Sequence, residues 1–331
     1  MRIPGWKTLK LGARWLRSRF VNGAVILGYH SVTEMSSDPY SLGIAPQHFA
    51  EQLELLRKYG HPLSLQELLQ AFRNGHVPRR AVALTFDDGY ADTLYTAKPL
   101  LERYHIPATV FITTGAPGRE FWWDELNRLL LTPETLPESL ALTIKGRAYE
   151  WTVRDSGENQ LQRAAADPRL RLLWSLHQEL RPLSAEERQR VLARLQIWTG
   201  AVSPDQLSRR ALSADEVLEL AQGGLIEVGA HTVTHTPLAG LSPAMQQSEI
   251  LQSKRYLEEL LAQPVTSFSY PHGSLSDSTV AVVRETGFAC ACTSFNDIAW
   301  RGSNRFQLPR LWVRDWDGDR FRRWLVRWLN N

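Results

Sequence analysis

Two short stretches of the chain carry side chains that could bind a metal ion and hydrolyse a bond. The first, at residues 85–89, reads Thr-Phe-Asp-Asp-Gly and follows an apolar run at 81–84. The second, at 231–235, reads His-Thr-Val-Thr-His and follows a mostly apolar run at 225–230. One carboxylate with two imidazoles is a common ligand set for a hydrolytic metal ion, and a neighbouring carboxylate can act as a base. The pattern therefore indicates a metal-dependent hydrolase.

Both stretches begin where a predicted buried strand ends, and two further predicted strands end in the same way. Residues 29–30 read Tyr-His and residues 270–272 read Tyr-Pro-His. The carboxyl ends of the strands form the active face of a parallel β/α barrel, so we expect these endings to meet. Each ending alone has an ordinary explanation, such as a turn for Asp-Asp-Gly or a packing role for a single histidine. Together the four endings favour a functional site.

Strand and helix signals alternate around these stretches, which predicts an α/β fold with a parallel sheet or barrel. Predicted helices cover residues 46–58, 65–73, 93–104 and 243–261, and a further predicted strand covers 108–113. The helix at 65–73 is preceded by Ser64, which forms a capping box with Glu67.

The alternation stops near Gly115 and resumes near Leu225. Residues 116–212 are charged and carry mostly helical spacing, so we interpret them as a helical insertion with a short hairpin near 141–153. We therefore expect one barrel domain over 21–331 that this insertion interrupts.

Both ends of the chain are basic and amphipathic. Residues 1–20 form a predicted arm, and residues 318–330 form a predicted helix. The apolar residues of that helix recur at i, i+3, i+4, i+7 and i+8: Phe321, Trp324, Leu325, Trp328 and Leu329. Such a helix can lie on an anionic membrane or pack against the barrel, and the sequence leaves both interpretations open.

The composition limits the classes of protein to which this chain can belong. A formal net charge of +3 in 331 residues is too small to indicate a nucleic-acid partner. The chain has neither an 18-residue apolar run nor the apolar segment of a secretory signal, so we expect a cytoplasmic protein, at most peripheral to the inner face of the membrane. We expect Cys290 and Cys292 to be buried free thiols.

These motifs resemble the polysaccharide deacetylase family, the NodB-homology group of carbohydrate esterases. Residues 85–89 match its first motif, residues 231–235 its second, and residues 268–273 are similar to its third. The resemblance covers about 21–115 and 213–313. It is closest to the branch that deacetylates bacterial poly-N-acetylglucosamine exopolysaccharide, which carries a Tyr-His pair after its first strand. The resemblance implies a distorted (β/α) barrel of the NodB-homology type.

The resemblance also implies roles for the residues that match the motifs. Asp88, His231 and His235 would bind one divalent metal ion, with Zn²⁺ the expected ion. Asp87 would be the general base that deprotonates the metal-bound water.

The residues of the third motif would stabilise the oxyanion or contact the substrate. They are Tyr270, Pro271 and His272, and the backbone N–H of His272 is the expected donor to the oxyanion.

The chain departs from the family pattern at two places. Ser269 stands where an arginine is usual, and Arg310 stands in the region of the usual acid histidine. We therefore predict that His30 protonates the leaving amine, with a packing role as its alternative, and that Arg310 orients Asp87 through a charge-assisted hydrogen bond.

The implied activity is metal-dependent removal of N-acetyl groups from an amino-sugar-containing saccharide, either an exopolysaccharide or its precursor. Two alternatives stay open. A narrow, solvent-blocked pocket would favour hydrolysis of a small cyclic amide or ureide, and protein without metal would favour a non-catalytic sugar-binding homologue. Trp122 and Trp123, at the start of the insertion, could stack on a sugar or anchor the insertion in a core.

Overall fold

The computed structural model describes residues 23–35, 37–153, 167–202 and 209–329. The predicted arm at residues 1–20 lies outside the described residues.

One curled parallel sheet forms the centre of the fold, and two further strands form a separate antiparallel hairpin. In chain order the strands are β1 (Ala24–Tyr29), β2 (His61–Pro62), β3 (Ala81–Phe86), β4 (Ala108–Ile112), β5 (Ser139–Ile144), β6 (Arg147–Thr152), β7 (Ile226–Ala230), β8 (Ser267–Ser269), β9 (Cys290–Cys292) and β10 (Leu311–Trp312). The order across the sheet is β10-β1-β3-β4-β7-β8-β9, with β2 added beside β3. Leu308, just before β10, bridges Cys292 of β9 and so links the two edges of the sheet. The predicted barrel-like α/β fold is confirmed.

Helices connect and cover these strands. They are α1 (Pro46–Tyr59), α2 (Leu65–Asn74), α3 (Lys98–Tyr104), α4 (Trp122–Leu131), α5 (Pro168–Leu180), α6 (Ala185–Thr199), α7 (Ala214–Ala221), α8 (Pro243–Leu261), α9 (Asp277–Glu285) and α10 (Gly318–Leu329). Local signals set several of their starts, because Ser64, Ser184 and Ser213 each cap a helix through a capping box with a glutamate. A π-helical turn at Thr93–Ala97 precedes α3, where the sequence predicted one continuous helix.

The strands are apolar along their whole length because both of their faces are buried. Val25 and Leu27 of β1 pack in the cluster beneath the outer helices, whereas Ile26 packs on the other face with residues of α2. Cys290 and Cys292 are buried free thiols in the same cluster as Ile26, which confirms the prediction for them.

The segment between β4 and β7 has an apolar core of its own. Its leucine-rich cluster joins α4, the hairpin, α5 and α6. The hairpin predicted near 141–153 pairs Ser139 with Thr152 at its open end and Ile144 with Arg147 beside its turn. The structure therefore shows a hairpin and helices built onto the barrel at the edge where β4 ends.

The C-terminal helix α10 packs against the barrel. Phe321 and Leu325 are fully buried, and Trp324 and Trp328 are partly buried against the same core. The apolar side that a membrane contact would need is thus covered by protein. Among the described residues, no helix is both long and apolar enough to cross a membrane.

Candidate active site

The sharp turn after β3 places two acidic side chains at the carboxyl end of the sheet. Asp87 and Asp88 are almost completely buried. Asp88 and Gly89 both adopt left-handed conformations, with φ of 73° and 81°. Asparagine and aspartate tolerate this region better than most residues, and a Cβ at Gly89 would lie 2.7 Å from the Cδ1 atom of Ile112. The turn therefore requires glycine at 89 and directs the two neighbouring carboxylates to different partners.

Asp88, His231 and His235 come together as a candidate metal site. The Oδ1 atom of Asp88 lies 3.2 Å from Nε2 of His235 and 3.5 Å from Nε2 of His231, and the ligand atoms all lie within 4.8 Å of one another. A tetrahedral ion with bonds of 2.0–2.1 Å separates its ligands by about 3.3 Å. The donor set and its spacing therefore fit a divalent ion.

Surrounding groups prepare these side chains for a metal ion. The Nδ1 atom of His231 lies 2.7 Å from the carbonyl oxygen of Ser269, so Nδ1 carries the proton and Nε2 presents its lone pair. Burial raises the pKa of Asp88, but the neighbouring imidazoles of His235 and His231 outweigh it and hold the pKa well below its usual value. Burial lowers the pKa of His235, which favours the neutral imidazole that binds metal.

A glutamate of α8 holds the loop that carries the two histidines. One oxygen of Glu249 accepts hydrogen bonds from the backbone N–H groups of Val233 (2.9 Å) and Thr234 (2.8 Å), and the other accepts the Thr234 hydroxyl (2.7 Å). Thr232 and His235 adopt left-handed conformations in this loop. Glu249 thus fixes an unusual backbone path that orients His235, and the sequence around Glu249 carries no motif that indicates this role.

A second support for the same loop comes from the insertion. Arg188 of α6 is 3% exposed and donates from Nη2 to the Thr234 carbonyl (3.2 Å) and the Thr236 hydroxyl (3.0 Å). Its guanidinium also lies over the ring of Trp122, 5.3 Å from the centroid. The insertion therefore contacts the metal-ligand loop directly, and no sequence motif indicated Arg188.

Asp87 has a different partner, the fully buried guanidinium of Arg310. Two hydrogen bonds, Nη1 to Oδ1 (2.6 Å) and Nη2 to Oδ2 (2.7 Å), join the pair. The other acceptors of Arg310 are Thr85 Oγ1, Ser269 Oγ and the carbonyl of Thr293. The charge-assisted hydrogen bond predicted for Arg310 is present. The family pattern places an arginine at position 269, whereas in this chain the guanidinium that contacts Asp87 comes from position 310. Ser269 donates a further hydrogen bond to Asp87 (3.1 Å).

This pairing keeps Asp87 ionised. Burial raises the pKa of Asp87, but the charges of Arg310 and His231 outweigh it, so the pKa lies below its ordinary value. Oδ2 of Asp87 lies 3.9 Å from Nε2 of His231, beside the ligand set. Asp87 can therefore accept a proton next to an ion held by Asp88.

His30 lies at the same end of the barrel, on the ring of Trp312. The two rings are stacked, with centroids 4.7 Å apart and planes 17° apart. Trp312 crosses β1 at Gly28, where a Cβ would lie 2.7 Å from its ring. Burial lowers the pKa of His30, and the charges of Asp88 and Asp87 oppose this shift, which places His30 in the electric field of the two carboxylates. Trp312 was not identified from the sequence.

The third motif contributes less than predicted. Tyr270 is buried and its hydroxyl donates to the carbonyl of Phe306 (2.9 Å), so the structure does not bring its side chain to the site. Pro271 is buried in the following turn, where His272 adopts a left-handed conformation. The exposed His272 ring meets the ring of His235 edge-on at 4.5 Å. Only His272 therefore extends toward the metal ligands.

The tryptophans at the start of the insertion have separate environments. Trp123 is buried, stacks on Phe121 at 4.6 Å and lies 4.6 Å from the ring of His235. The Nε1 atom of Trp123 donates to the hydroxyl of Tyr90 (2.7 Å). Trp123 is thus a core anchor behind a metal ligand, whereas Trp122 is only partly buried.

Comparisons with known proteins show which proteins this chain resembles. The model of the polysaccharide deacetylase family matches residues 74–135 and 196–291. The poly-beta-1,6-N-acetyl-D-glucosamine N-deacetylase of Escherichia coli is 34% identical over 112 residues, which span 32% of this chain and 17% of that protein. A Bacillus subtilis protein named for the same family, YxkH, is 22% identical over 301 residues, or 90% of this chain and 74% of that protein.

Solved structures share the fold. IcaB from Ammonifex degensii superposes with a TM-score of 0.61 at 20% identity, over 94% of this chain and 98% of that one. The deacetylase PplD of Streptococcus pyogenes gives a TM-score of 0.60 at 20% identity, over 93% of this chain and 99% of that one.

Proposed function

Because this chain belongs to the polysaccharide deacetylase family, we propose that it is a metal-dependent hydrolase that removes N-acetyl groups from an amino-sugar-containing saccharide. The observation that carries the proposal is that two adjacent buried carboxylates have different partners. Asp88 joins two imidazole nitrogens at metal-ligand spacing, while Asp87 stays outside the ligand set, ionised and held by Arg310. This arrangement provides an ion site and a base side by side.

The chain supplies the remaining groups that amide hydrolysis requires. A divalent ion held by the ligand set would lower the pKa of a water molecule and polarise the acetamide carbonyl. Asp87 accepts the proton of the attacking water, and the backbone N–H of His272 donates to the oxyanion. His30 gives a proton to the leaving nitrogen, so the products are acetate and the free amine.

We propose Zn²⁺ as the ion and an exopolysaccharide or its precursor as the substrate. Two imidazoles and one carboxylate suit Zn²⁺, although the same donors accept other divalent ions. The substrate is inferred from relatives named as poly-beta-1,6-N-acetyl-D-glucosamine N-deacetylases, of which the match spans 17% in Escherichia coli and 39% in Staphylococcus aureus.

Acetate release tests this proposal. Metal-reconstituted protein is incubated with β-1,4- and β-1,6-linked N-acetylglucosamine oligomers beside an Asp87→Asn control, whose metal content is measured in parallel. We expect acetate from the wild type and a loss of at least about a hundredfold in the control, in line with the usual contribution of a general base. No acetate from the metal-loaded wild type with either linkage would refute deacetylation of these saccharides.

The role of His30 needs its own test. We expect His30→Ala to lower kcat by about a hundredfold with metal affinity unchanged, because its ring stacks on Trp312 and contributes no metal ligand. Turnover close to that of the wild type would leave His30 with only a packing role.

The cytoplasmic location of the protein stays a prediction, as does contact of its basic ends with the inner face of the membrane. Since the apolar side of α10 packs on the barrel, the arm at 1–20 is the segment to test. Co-sedimentation with anionic vesicles of chains with and without residues 1–20 would decide whether that arm binds the membrane.

A further inference from the structure

Helix α5 of the insertion has one side of leucines and a second side of aromatic and charged residues. Its leucines Leu172, Leu173, Leu176 and Leu180 are buried in the core of the insertion. Trp174, His177 and Arg181 recur at i, i+3 and i+7, so they project together from a different side of the helix. That second side faces Tyr40 and Trp122, which pack at the margin of the same core and are only partly buried.

A continuous run of rings leads from this side of α5 to the metal ligands. The ring of His177 lies 5.0 Å from Trp122 and 5.2 Å from Tyr40. Trp122 meets Trp123 edge-on at 5.6 Å, and Trp123 lies 4.6 Å from the ring of His235. This run passes through the buried Trp123, and Trp122 also lies under Arg188, which binds the loop of His235. The second side of α5 therefore lies next to that loop.

Trp174 offers an open aromatic face on this surface. It is 42% exposed, although tryptophan is usually well buried, and Tyr40 meets it edge-on at 5.3 Å with planes 82° apart. An edge contact fixes the indole orientation while leaving part of the ring surface uncovered. Such a surface matches the apolar C–H face of a pyranose ring.

Polar atoms next to these rings also lack partners. The Oη of Tyr40, the Nε1 of Trp122 and the Nε of Arg181 are buried, and none has a hydrogen-bond partner among the described residues. Buried polar groups are nearly always hydrogen-bonded, so several unpaired groups in one cluster point to a polar ligand. Two N–H donors and a phenol beside an aromatic face are complementary to the hydroxyl groups of a sugar.

We propose that Trp174, Tyr40, Trp122 and Arg181 form a second sugar subsite, which binds an amino-sugar unit next to the one that is deacetylated. The proposal rests on the proposed function, because it assumes that a saccharide occupies the metal site. It adds that the substrate is an oligomer or polymer and that the insertion selects for chain length. The family model matches residues 74–135 and 196–291, so Trp174 and Arg181 lie outside the matched residues.

Binding measurements test the subsite apart from catalysis. The full chain carrying Asp87→Asn is loaded with metal and titrated calorimetrically with monomeric and tetrameric β-1,6-linked N-acetylglucosamine. Trp174→Ala in this background should weaken tetramer binding about tenfold, the equivalent of 1.4 kcal/mol, and leave monomer binding unchanged. Tyr256→Ala is the matched control, because Tyr256 is also a surface aromatic, 36% exposed, on α8. It should bind both ligands like the parent.

Two more conservative variants show whether a loss of binding comes from lost ligand contacts or from a disrupted insertion. Trp174→Phe should keep most of the tetramer affinity, and Tyr40→Phe, which removes only the unpaired hydroxyl, should weaken tetramer binding about threefold, within the usual range for one hydrogen bond. Equal tetramer affinity in the parent, Trp174→Ala and Tyr40→Phe would overturn the subsite, as would a parent that binds the tetramer no better than the monomer. Tetramer binding that depends on Trp174, together with no acetate release by the wild type, would keep the subsite and refute the deacetylase.

Discussion

The two sides of the candidate site are held in different ways. Asp87 is fixed from inside the barrel, by a guanidinium that is 0% exposed and belongs to the segment that joins the edges of the sheet. The loop of His235 is fixed from outside, by Glu249 of a covering helix and Arg188 of the insertion. Asp87 is therefore held by the barrel itself, whereas the loop of His235 depends on elements around the barrel. Substitutions on the two sides should thus affect different measured quantities.

The largest effect is expected on the barrel side. Arg310→Met would leave the Asp87 carboxylate buried without its partner, and such a loss typically costs about 3–5 kcal/mol of the free energy of unfolding. Urea unfolding of the metal-free protein measures it. A double variant, Arg310→Met with Asp87→Asn, should recover most of the loss because the unpaired charge is gone. If the single variant unfolds at the wild-type urea concentration, the pair does not contribute to the stability of the barrel.

Substitution of Glu249 should instead change metal binding. Glu249→Gln removes the negative charge that strengthens the hydrogen bonds from the backbone N–H groups, and the Thr234 hydroxyl can then stay in contact only by accepting instead of donating. Removal of groups that orient metal ligands commonly lowers metal affinity by about 10–100-fold. Competition with a chelator measures this affinity. Glu259→Gln, an exposed glutamate on the same helix, is the control. Unchanged affinity in Glu249→Gln would mean that the loop holds its shape without α8.

The sequence predicted those helices and site residues that depend on amino acids close together in the chain. The pair Ser242-Pro243 predicted the start of α8, and the predicted end at about Leu261 agrees with the observed helix, Pro243–Leu261. The Asp-Asp-Gly turn and the paired histidines were identifiable because the ends of parallel strands meet at one edge of the sheet. Such inferences need only a strand, its direction and the residue that follows it.

The contacts that hold the site in place depend on tertiary approach and were not predictable in the same way. Glu249 and Arg188 resemble ordinary charged residues on amphipathic helices, and nothing in their spacing shows that they face a loop. The inward direction of the Tyr270 side chain was also not predicted, for a simpler reason. Side chains alternate along a strand, so once Ser269 faces Asp87, the next residue must point into the surrounding core.

The contribution of the insertion to the metal-ligand loop should be smaller than that of α8. Arg188→Met keeps much of the apolar stem and removes two hydrogen bonds to the loop, at Thr234 and Thr236. Since Glu249 still holds the backbone, we expect metal affinity to fall about three- to tenfold, at the lower end of effects from such orienting groups. Arg194→Met, an exposed arginine on the same helix, should have no effect. A loss as large as that of Glu249→Gln would show that the insertion and α8 support the loop equally.

The smallest expected effect concerns the segment where the insertion rejoins the barrel. Glu216 accepts hydrogen bonds from Arg210, which are the main reason that the pKa of Glu216 falls from 4.5 to about 2, and it also closes the capping box of α7. A lowered pKa in the folded state means that the contribution to stability is complete above pH 4.5 and is lost as the pH falls toward 2. Arg210→Met should therefore reduce the dependence of the urea midpoint on pH between 5 and 2.5, with little change in metal affinity, because neither residue contacts the ligand loop. If the two proteins show the same pH dependence, the ion pair does not stabilise the rejoining segment, and the backbone hydrogen bonds of Arg210, Ala211 and Leu212 to the barrel are sufficient to hold it.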